Sequence, residues 1–368
     1  MNSKSIIARL VGRARRTMRG FVRGVRVRPM QAVRLRKYPR DARRLIVFLT
    51  PGADDVTGGI LSICAHYGES VGLRPIHNSE VLLCTVPGEP ILARYTKFEN
   101  SNRIFLLSQV LSYFKQVESL TIHIPEYHIN EFLAGLSRRE YAALRRVKEL
   151  HLNIMLQNIR YIDGQNIGAL KALGRTTCTT AHERYSTREI RDRLGVPLHR
   201  LSVYVSPEQY CRAPYEDKED LLIVSPDEHP LKKAILEEIA AKLPHLRIQI
   251  ISGLTYEQYK RTICAAKWSL TFGEGLDGYF VEAVFSGAVS LAAYNEEFFT
   301  PDFKSLETVY DSYRSLKEHV VSDLRRLDEK QAYAGYQARE FSMVAKYYNI
   351  TLYRSNLARF YRGDYTFP

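Results

Sequence analysis

TFGEGLDGYFVEAVFSGAVSLAAYN, residues 271–295, contains two glutamates, Glu274 and Glu282, that stand eight positions apart. Glycines surround the first glutamate, and an apolar run typical of a buried helix carries the second. The residues WSLTF (268–272) predict a buried strand, GEGLDG predicts a loop, and YFVEAVFSG predicts a helix. The stretch therefore predicts a strand–loop–helix unit with one carboxylate in the loop and another on the helix.

The same alternation of strands and helices extends in both directions from this stretch. In the first half of the chain, strands are predicted at 45–50, 81–86, 119–124, 150–156, 176–181 and 201–206, and helical segments at 104–117 and 187–195. In the second half, strands at 221–225, 247–252, 268–272 and 289–293 alternate with helices at 232–243, 255–266 and 278–287. Strands that alternate with helices indicate parallel βαβ units, and hence an α/β fold.

The length of 368 residues and one break in the pattern predict two domains. Residues 207–220 are polar, contain two prolines and lack periodicity, which is typical of a linker. We expect one Rossmann-like domain at 45–206 and a second at 221–344, facing a cleft, with helices at 345–368 that could pack back on the first. Ligands of such sheets bind at the carboxyl ends of the strands, where the loop with Glu274 is predicted.

The positive charge of the chain is concentrated at its amino terminus. Residues 1–44 hold fifteen of the 53 Lys and Arg but one acidic residue, Asp41, whereas the rest of the chain carries 38 basic and 39 acidic side chains. Apolar residues recur here at helical spacing, with arginines on the other sides; they are Ile7, Leu10, Val11, Ala14, Met18, Phe21, Val22 and Val25. Such a basic amphipathic helix suits the surface of an anionic membrane.

The composition of this basic segment also fits roles away from the membrane. An organelle transit peptide is likewise rich in arginine and poor in acids, and a basic arm could dock on a partner protein or on nucleic acid. No apolar run approaches the roughly 18–20 residues that span a bilayer, so we expect no transmembrane segment. Five dispersed cysteines without metal-ligand spacing favour reduced thiols in a cytoplasmic protein.

The two glutamates suggest what kind of ligand the loop binds. The amino terminus of the helix offers free N–H groups to phosphate, and glycines let the backbone approach a ligand closely. Carboxylates repel phosphate but accept hydrogen bonds from sugar hydroxyls. A nucleotide sugar has hydroxyls at both ends and a diphosphate between them, so we expect one glutamate at each end of such a molecule.

The stretch GEGLDGYFVEAVFSGAVSLA resembles the E-x7-E signature of retaining GT-B glycosyltransferases. The positions in register are Glu274, Gly275, Glu282, Ala283, Ser286, Gly287 and Val289. Asp277 and Tyr279 depart from the signature, which usually has Gly and Pro there. The resemblance implies two Rossmann-like domains, of which 45–206 binds the acceptor and 221–344 binds a nucleotide-sugar donor. It further implies transfer with retention, and neither a metal nor a cofactor. It also implies that Glu274 contacts the donor sugar and Glu282 the ribose.

Three further stretches are similar to parts of that family. Gly58 and Gly59 open the first helix, like the glycine-rich loop beside the donor phosphate and the acceptor. His182 follows a strand, like the histidine that faces the donor sugar. Where the family has a Gly-Arg pair and a lysine, this chain has no arginine, so Lys232 or Lys233 must supply the cation. We also place Ser225, Gly275 and Gly278 at the donor site. Each stretch also fits a plainer interpretation: an ordinary turn, a structural histidine or a surface lysine pair.

The function predicted from these features is sugar transfer at the inner face of the cell membrane. The chain lacks a D-x-D pair, H-E-x-x-H, G-x-S-x-G and Walker A. The acceptor would be a membrane-associated glycan or glycolipid of cell-surface polysaccharide or lipopolysaccharide biosynthesis. Three alternatives remain: an inactive GT-B module that tethers partners, a nucleic-acid-binding protein that uses the basic arm, and a sugar-nucleotide epimerase.

Overall fold

A computed structural model describes residues 27–368, which fold into two compact units. The first unit contains the described residues up to 179 together with 194–198 and the terminal Pro368, and the second contains 180–193 and 199–367. This division differs from the predicted boundaries, because 180–193, 199–220 and 345–367 belong to the second unit.

The first half of the chain contains seven strands and eight helices among its described residues. The strands are β1 (Arg44–Thr50), β2 (Glu80–Thr85), β3 (Ile104–Leu106), β4 (Ser119–Pro125), β5 (Glu149–Leu156), β6 (Arg175–Thr180) and β7 (Leu198–Arg200). The helices are α1 (27–35), α2 (Gly58–Gly72), α3 (Arg74–His77), α4 (Leu107–Tyr113), α5 (Ile129–Gly135), α6 (Arg138–Leu144), α7 (Ile167–Leu173) and α8 (Arg188–Leu194).

The second half contains five strands and six helices. The strands are β8 (Glu219–Val224), β9 (Arg247–Ile250), β10 (Ala266–Leu270), β11 (Val289–Ala293) and β12 (Val309–Tyr310). The helices are α9 (Lys232–Lys242), α10 (Tyr256–Ala265), α11 (Gly278–Phe285), α12 (Tyr313–Leu327), α13 (Lys330–Tyr347) and α14 (Ile350–Arg362).

Each sheet has a point at which the strand order reverses. The first sheet has the order β3-β2-β1-β4-β5-β6-β7, so the reversal lies between β1 and β4. The second has the order β12-β11-β10-β8-β9, so the reversal lies between β8 and β10, and its neighbouring strands are all parallel. Ligands of open α/β sheets bind outside the carboxyl ends of the strands at such a switch point. The predicted α/β class is therefore confirmed, with one candidate site in each sheet.

Two predicted elements differ in the structure. Ile104–Leu106 pair with β2 as the edge strand β3 instead of starting a helix, and the helix of that region begins at Leu107. The predicted strand at 201–206 is irregular, and the strand of that region is β7. Short apolar runs have the same composition in buried strands and in buried helices, so periodicity alone does not separate the two.

The single tryptophan, Trp268, is at the centre of the second sheet. It lies on β10 with 1% of its surface exposed and pairs in register with Leu222 of β8. The edge of its indole meets the ring of Tyr333 from α13, with ring centroids 5.4 Å apart. The core of the second unit is therefore built around the strand that leads into the loop with Glu274.

A buried lysine of the predicted linker forms hydrogen bonds with the second unit. Lys218 is 8% exposed, and its ammonium donates hydrogen bonds of 3.0 Å to the carbonyl oxygens of Cys264, Ala266 and Ser286. Burial lowers the pKa of Lys218 to about 8. Three carbonyl acceptors match the three N–H groups of an ammonium, so the ammonium is fully satisfied at this position.

The described part of the predicted membrane segment packs on the first unit. Gln31 is fully buried, and its amide nitrogen donates to the carbonyl oxygens of Leu92 (3.2 Å) and Ile104 (2.7 Å). Leu35, one turn later on α1, is 1% exposed. The predicted apolar stripe from Ile7 to Val25 lies outside the described residues. In residues 27–368, no helix is both long enough and apolar enough to cross a bilayer.

Truncating Leu35 should destabilise the first unit. Leu35→Ala removes a buried side chain, and such truncations lower the free energy of unfolding by about 2–5 kcal/mol. Val33→Ala is the matched control, since Val33 lies on the same helix with 59% of its surface exposed and should change stability by less than about 0.5 kcal/mol. Urea denaturation followed by circular dichroism compares the two variants. Equal effects would show that α1 does not contribute its buried face to the unit.

Candidate functional site

Ser225 joins the ends of the two strands at the switch point of the second sheet. Its backbone N–H donates to the carbonyl oxygen of Leu270 (3.0 Å), and its hydroxyl accepts a hydrogen bond from the N–H of Phe272 (2.9 Å). The side chain is 1% exposed. Ser225 is therefore at the predicted edge, where its contacts hold the loops that follow β8 and β10 together.

The two candidate lysines have different environments. Lys232 is 6% exposed, and its ammonium donates to the carbonyl oxygens of Ser225 (2.9 Å) and Asp227 (2.8 Å). The side chain of Lys233 is 87% exposed and lies 3.8 Å from the carboxylate of Glu237. Only Lys232 is at the switch point, and these two contacts leave one of its three N–H donors for a ligand.

Two positions in the loop after β10 require glycine, because neighbouring atoms leave no room for a side chain. Gly275 has a φ of +86°, and a Cβ there would lie 2.6 Å from the ring of Phe299. A Cβ on Gly273 would lie 2.8 Å from Oδ2 of Asp227 and 3.2 Å from Oδ2 of Asp277. The glycines thus let the loop pack closely against an aromatic ring and against two carboxyl groups.

Asp277, the departure from the family signature, is the N-cap of α11. Its side chain accepts hydrogen bonds from the N–H of Phe280 (3.1 Å) and the hydroxyl of Thr271 (2.6 Å). Burial, together with the nearby charge of Asp227, raises the pKa of Asp277 to about 7. The sequence predicted free N–H groups at this helix terminus, but the cap engages one of them. A carboxyl group lies where we expected phosphate.

Glu282 lies on α11 beneath a group of tyrosines. It is 8% exposed, and the hydroxyl of Tyr256 donates to its Oε2 (3.4 Å). The hydroxyls of Tyr210 and Tyr256 are 3.0 Å apart, and the ammonium of Lys260 lies over both rings, 5.4 Å and 5.2 Å from the centroids. Burial raises the pKa of Glu282 to about 7, whereas the hydrogen bond from Tyr210 and the charge of Lys260 lower it.

Gly278, the first residue of α11, is exposed and next to this carboxyl group. A Cβ on Gly278 would lie 3.1 Å from Oε1 of Glu282. Its carbonyl oxygen accepts a hydrogen bond from the hydroxyl of Tyr259 (3.3 Å). The absence of a side chain at Gly278 therefore lets the carboxyl group of Glu282 lie close to the start of the helix.

His182 lies in the second unit beside the loop that carries Glu274. It borders a cavity of about 10 Å³, space for one water molecule, which Leu276 and Tyr348 also line. Burial lowers the pKa of His182 to about 4, so the imidazole is neutral at pH 7. Its Nδ1 has no hydrogen-bond partner within residues 27–368.

Glu274 is close to the same cavity. Burial raises the pKa of Tyr348, and the charges of Asp277 and Glu274 raise it further. Leu276, two residues after Glu274, lines the cavity with His182 and Tyr348, so the loop that carries Glu274 and the candidate histidine border the same small cavity. Glu274 itself is half-buried in the loop.

The glycine pair of the first unit lies at the switch point between β1 and β4. Thr57 caps α2, and its hydroxyl accepts a hydrogen bond from the N–H of Ile60 (3.2 Å). A Cβ on Gly59 would lie 2.8 Å from Oε1 of Gln157 at the end of β5, whereas a Cβ on Gly58 would meet nothing within 4 Å. Gly59 thus permits close approach of Gln157, and Gly58 leaves the start of α2 open.

Sequence reasoning missed the side chains that surround Glu282 and Gly273. Tyr210 is in the predicted linker, and nothing local indicates that it would reach α10. Tyr256 and Tyr259 have a helical spacing of three residues, so their common face was available from the sequence. Asp227 follows Pro226 after a strand and had the ordinary appearance of a turn residue.

The pKa of Glu282 predicts how its replacement alters stability with pH. A carboxyl whose folded-state pKa is raised stabilises the fold below its unfolded-state pKa, and this contribution is lost as pH rises through the folded-state value, about 7. The free energy of unfolding of Glu282→Gln, taken relative to that of wild type, should therefore rise by roughly 1–3 kcal/mol between about pH 5 and pH 7. Urea denaturation at several pH values measures the difference, with the exposed Glu237→Gln as control. A pH-independent difference would contradict the raised pKa.

No protein family and no curated protein sequence matches the chain. Solved structures match it over most of its length. The Anabaena protein HepE, in complex with UDP-glucose, has 9% identity and a TM-score of 0.53 over 87% of this chain and 99% of its own. An alpha-glucosyltransferase in complex with UDP and a mismatched 13-mer DNA has 8% identity and a TM-score of 0.55, with the same coverage of 87% and 99%.

A third solved structure, from Listeria monocytogenes, is assigned as a UDP-N-acetylglucosamine 2-epimerase. It has 10% identity and a TM-score of 0.50 over 85% of this chain and 94% of its own. Similarity at this level of identity concerns the fold and not the activity. The chain has the GT-B fold, with two Rossmann-like α/β units, as the sequence predicted.

Proposed function

We propose that this protein is a glycosyltransferase that uses a nucleotide-sugar donor. The observation that carries the proposal is the position of the two glutamates in the second unit. Glu274 lies in the loop after β10 at the switch point, and Glu282 is buried on the helix that follows. This is the spacing and the setting that the E-x7-E resemblance implies for a donor site.

Each residue of the site has a defined task in this proposal. Lys232 donates its remaining N–H to the diphosphate, Glu282 accepts hydrogen bonds from the ribose, and Glu274 accepts them from the donor sugar. The neutral imidazole of His182 hydrogen-bonds a hydroxyl of that sugar through Nδ1 or Nε2. The electrostatic contribution of Lys232 is large because its ammonium is held in place before the reaction starts.

The reaction forms a bond between an acceptor oxygen and the anomeric carbon of the donor. The bond from that carbon to the diphosphate breaks, and the diphosphate leaves with the electron pair. In the retaining mechanism that the resemblance implies, the leaving phosphate takes the proton of the acceptor hydroxyl. The protein then contributes positioning and charge stabilisation, without a metal ion or a separate cofactor.

We also propose that the acceptor is a membrane-associated glycan or glycolipid of cell-surface polysaccharide or lipopolysaccharide biosynthesis. The basic residues at the amino terminus support this proposal, since each Lys or Arg near an anionic surface contributes about 1 kcal/mol. The protein would then act on the cytoplasmic face of the membrane as a peripheral protein.

A second candidate is a GT-B module that binds partners without transferring sugar. The carboxyl groups of Asp227 and Asp277 favour it, because Asp277 caps the helix terminus where the donor phosphate was expected and both carboxyl groups flank the nearby Gly273. Epimerisation and nucleic-acid binding through the basic arm also stay open. An epimerase would convert the nucleotide sugar without any acceptor, and a nucleic-acid-binding protein would show steep salt dependence.

Calorimetry with nucleoside diphosphates tests the proposed donor site. Lys232→Met should weaken binding by roughly 10-fold to 150-fold, the effect of losing a hydrogen bond to a charged group. Lys233→Met is the adjacent, exposed control and should bind like wild type. A thermal melt checks that Lys232→Met still folds. If wild type binds no nucleoside diphosphate, or if both variants bind equally well, the diphosphate site is not here.

Glu274→Gln separates sugar transfer from nucleotide binding. We expect nucleoside-diphosphate affinity within about threefold of wild type and a loss of turnover greater than tenfold, which corresponds to about 1.4 kcal/mol of barrier. His182→Ala should reduce turnover in the same direction but less. Turnover is measured with the donor that wild type binds best. Unchanged turnover in Glu274→Gln would remove Glu274 from the reaction and favour the binding module.

A further inference from the structure

Three arginines of the first unit converge beside the edge strand β3. The N–H of Ile104 donates to the carbonyl oxygen of Ala93 (3.1 Å), which brings the flanking Arg94 and Arg103 together. The side chain of Gln31 bonds the carbonyl oxygens of Leu92 and Ile104 at the same place. Arg34, three residues later on α1, lies on the helical face of Gln31.

The charges of these arginines are not neutralised within the described residues. Nη1 of Arg34 is buried and has no hydrogen-bond partner in residues 27–368. Burial lowers the pKa of Arg34, and the charges of Arg103 and Arg94 lower it further, so these two arginines repel the charge of Arg34. A buried donor without a partner is unfavourable by about 1–3 kcal/mol or more when it is charged. A bound anion would relieve both the repulsion and the unsatisfied donor.

We propose that Arg34, Arg94 and Arg103 bind the phosphate of an anionic lipid headgroup, and that this face of the first unit lies on the membrane surface. Guanidinium groups match phosphate because they donate two parallel hydrogen bonds to its oxygens. The site concerns the first unit and is separate from the donor site of the second. This lipid site rests on the proposed function only in that both place the protein at a membrane.

The surroundings of the arginine cluster favour a membrane over a soluble anion. Near the cluster, α1 carries the exposed Arg28 and Val33, an apolar side chain that is 59% exposed, and the turn after α1 carries the exposed Arg36 and Lys37. Exposed cationic and apolar side chains together are typical of segments at a membrane interface. The residues that precede α1 in the sequence, 1–26, contain eight Lys and Arg and no acidic residue. In the sequence, the helix that carries Arg34 thus directly follows the most basic part of the chain.

Co-sedimentation of the full-length protein with vesicles tests the proposal. The probes are phosphatidylcholine vesicles with and without phosphatidylglycerol. Replacing Arg94 and Arg103 by Gln should lower partitioning onto the anionic vesicles by about tenfold to thirtyfold, as expected for two charges at the surface. The charge-matched control replaces Arg188 and Arg314, two exposed arginines of the second unit, and should change partitioning by less than about threefold. Equal losses in both double variants would overturn the site.

Arg34→Gln gives a second readout that a purely structural arginine would not produce. It should weaken partitioning onto anionic vesicles without lowering the melting temperature, because it removes a repelled, unsatisfied donor. A lower melting temperature with unchanged partitioning would overturn the proposal. Nucleoside-diphosphate affinity should be unchanged in all of these variants, so a failed donor site and a failed lipid site are distinguishable.

Two further measurements identify the anion. Inorganic phosphate should raise the melting temperature of wild type above that in sodium chloride of equal ionic strength, and the Arg94/Arg103 double variant should lose this difference. If phosphate stabilises wild type in this way while vesicle partitioning is the same in all variants, the ligand is soluble and the membrane assignment is wrong. If the double variant loses affinity for duplex DNA but not for vesicles, the surface binds nucleic acid and the proposal is also wrong.

Discussion

The parallel pairing of β8 with β10 is the constraint on which the second unit depends. The chain leaves β8, forms β9 on one side of it, and returns through α10 to the other side. The carboxyl ends of β8 and β10 therefore meet, and the loops after them leave in opposite directions. The contacts of Ser225 with Leu270 and Phe272 hold this edge together. The candidate donor-binding residues other than His182 lie at this edge or on the helices that start from it.

Local patterns in the sequence predicted much of this arrangement. The strand VSLAA was predicted at 289–293 and is β11 with the same bounds, because a strand buried on both faces is continuously apolar. The glutamate spacing located the loop and α11 correctly. The capping role of Asp277 was also within reach, since an aspartate just before a helical run is an N-cap signal. The packing of α1 was not predicted, because the basic composition of this segment suggested an exposed helix and gave no indication that Gln31 and Leu35 are buried.

Two buried lysines show why residue type alone does not identify a binding site. Lys218 donates to three carbonyl oxygens, and Lys232 donates to two. Both are less than a tenth exposed, yet one ammonium is saturated and the other retains a donor. Contacts between residues distant in the sequence decide this difference. The sequence contains no signal for them, as with the position of Tyr210 beside Tyr256.

The position of Trp268 gives the two units different optical properties. As the single tryptophan of the chain, it is 1% exposed on β10 of the second unit. Indole emission excited at long wavelength therefore comes from that unit alone, whereas far-ultraviolet dichroism sums over both. Superimposable unfolding curves from the two signals would mean that the units melt as one cooperative system, and separated curves would resolve them without any added label. The unlabelled protein thus carries its own reporter of whether its two halves are thermodynamically coupled.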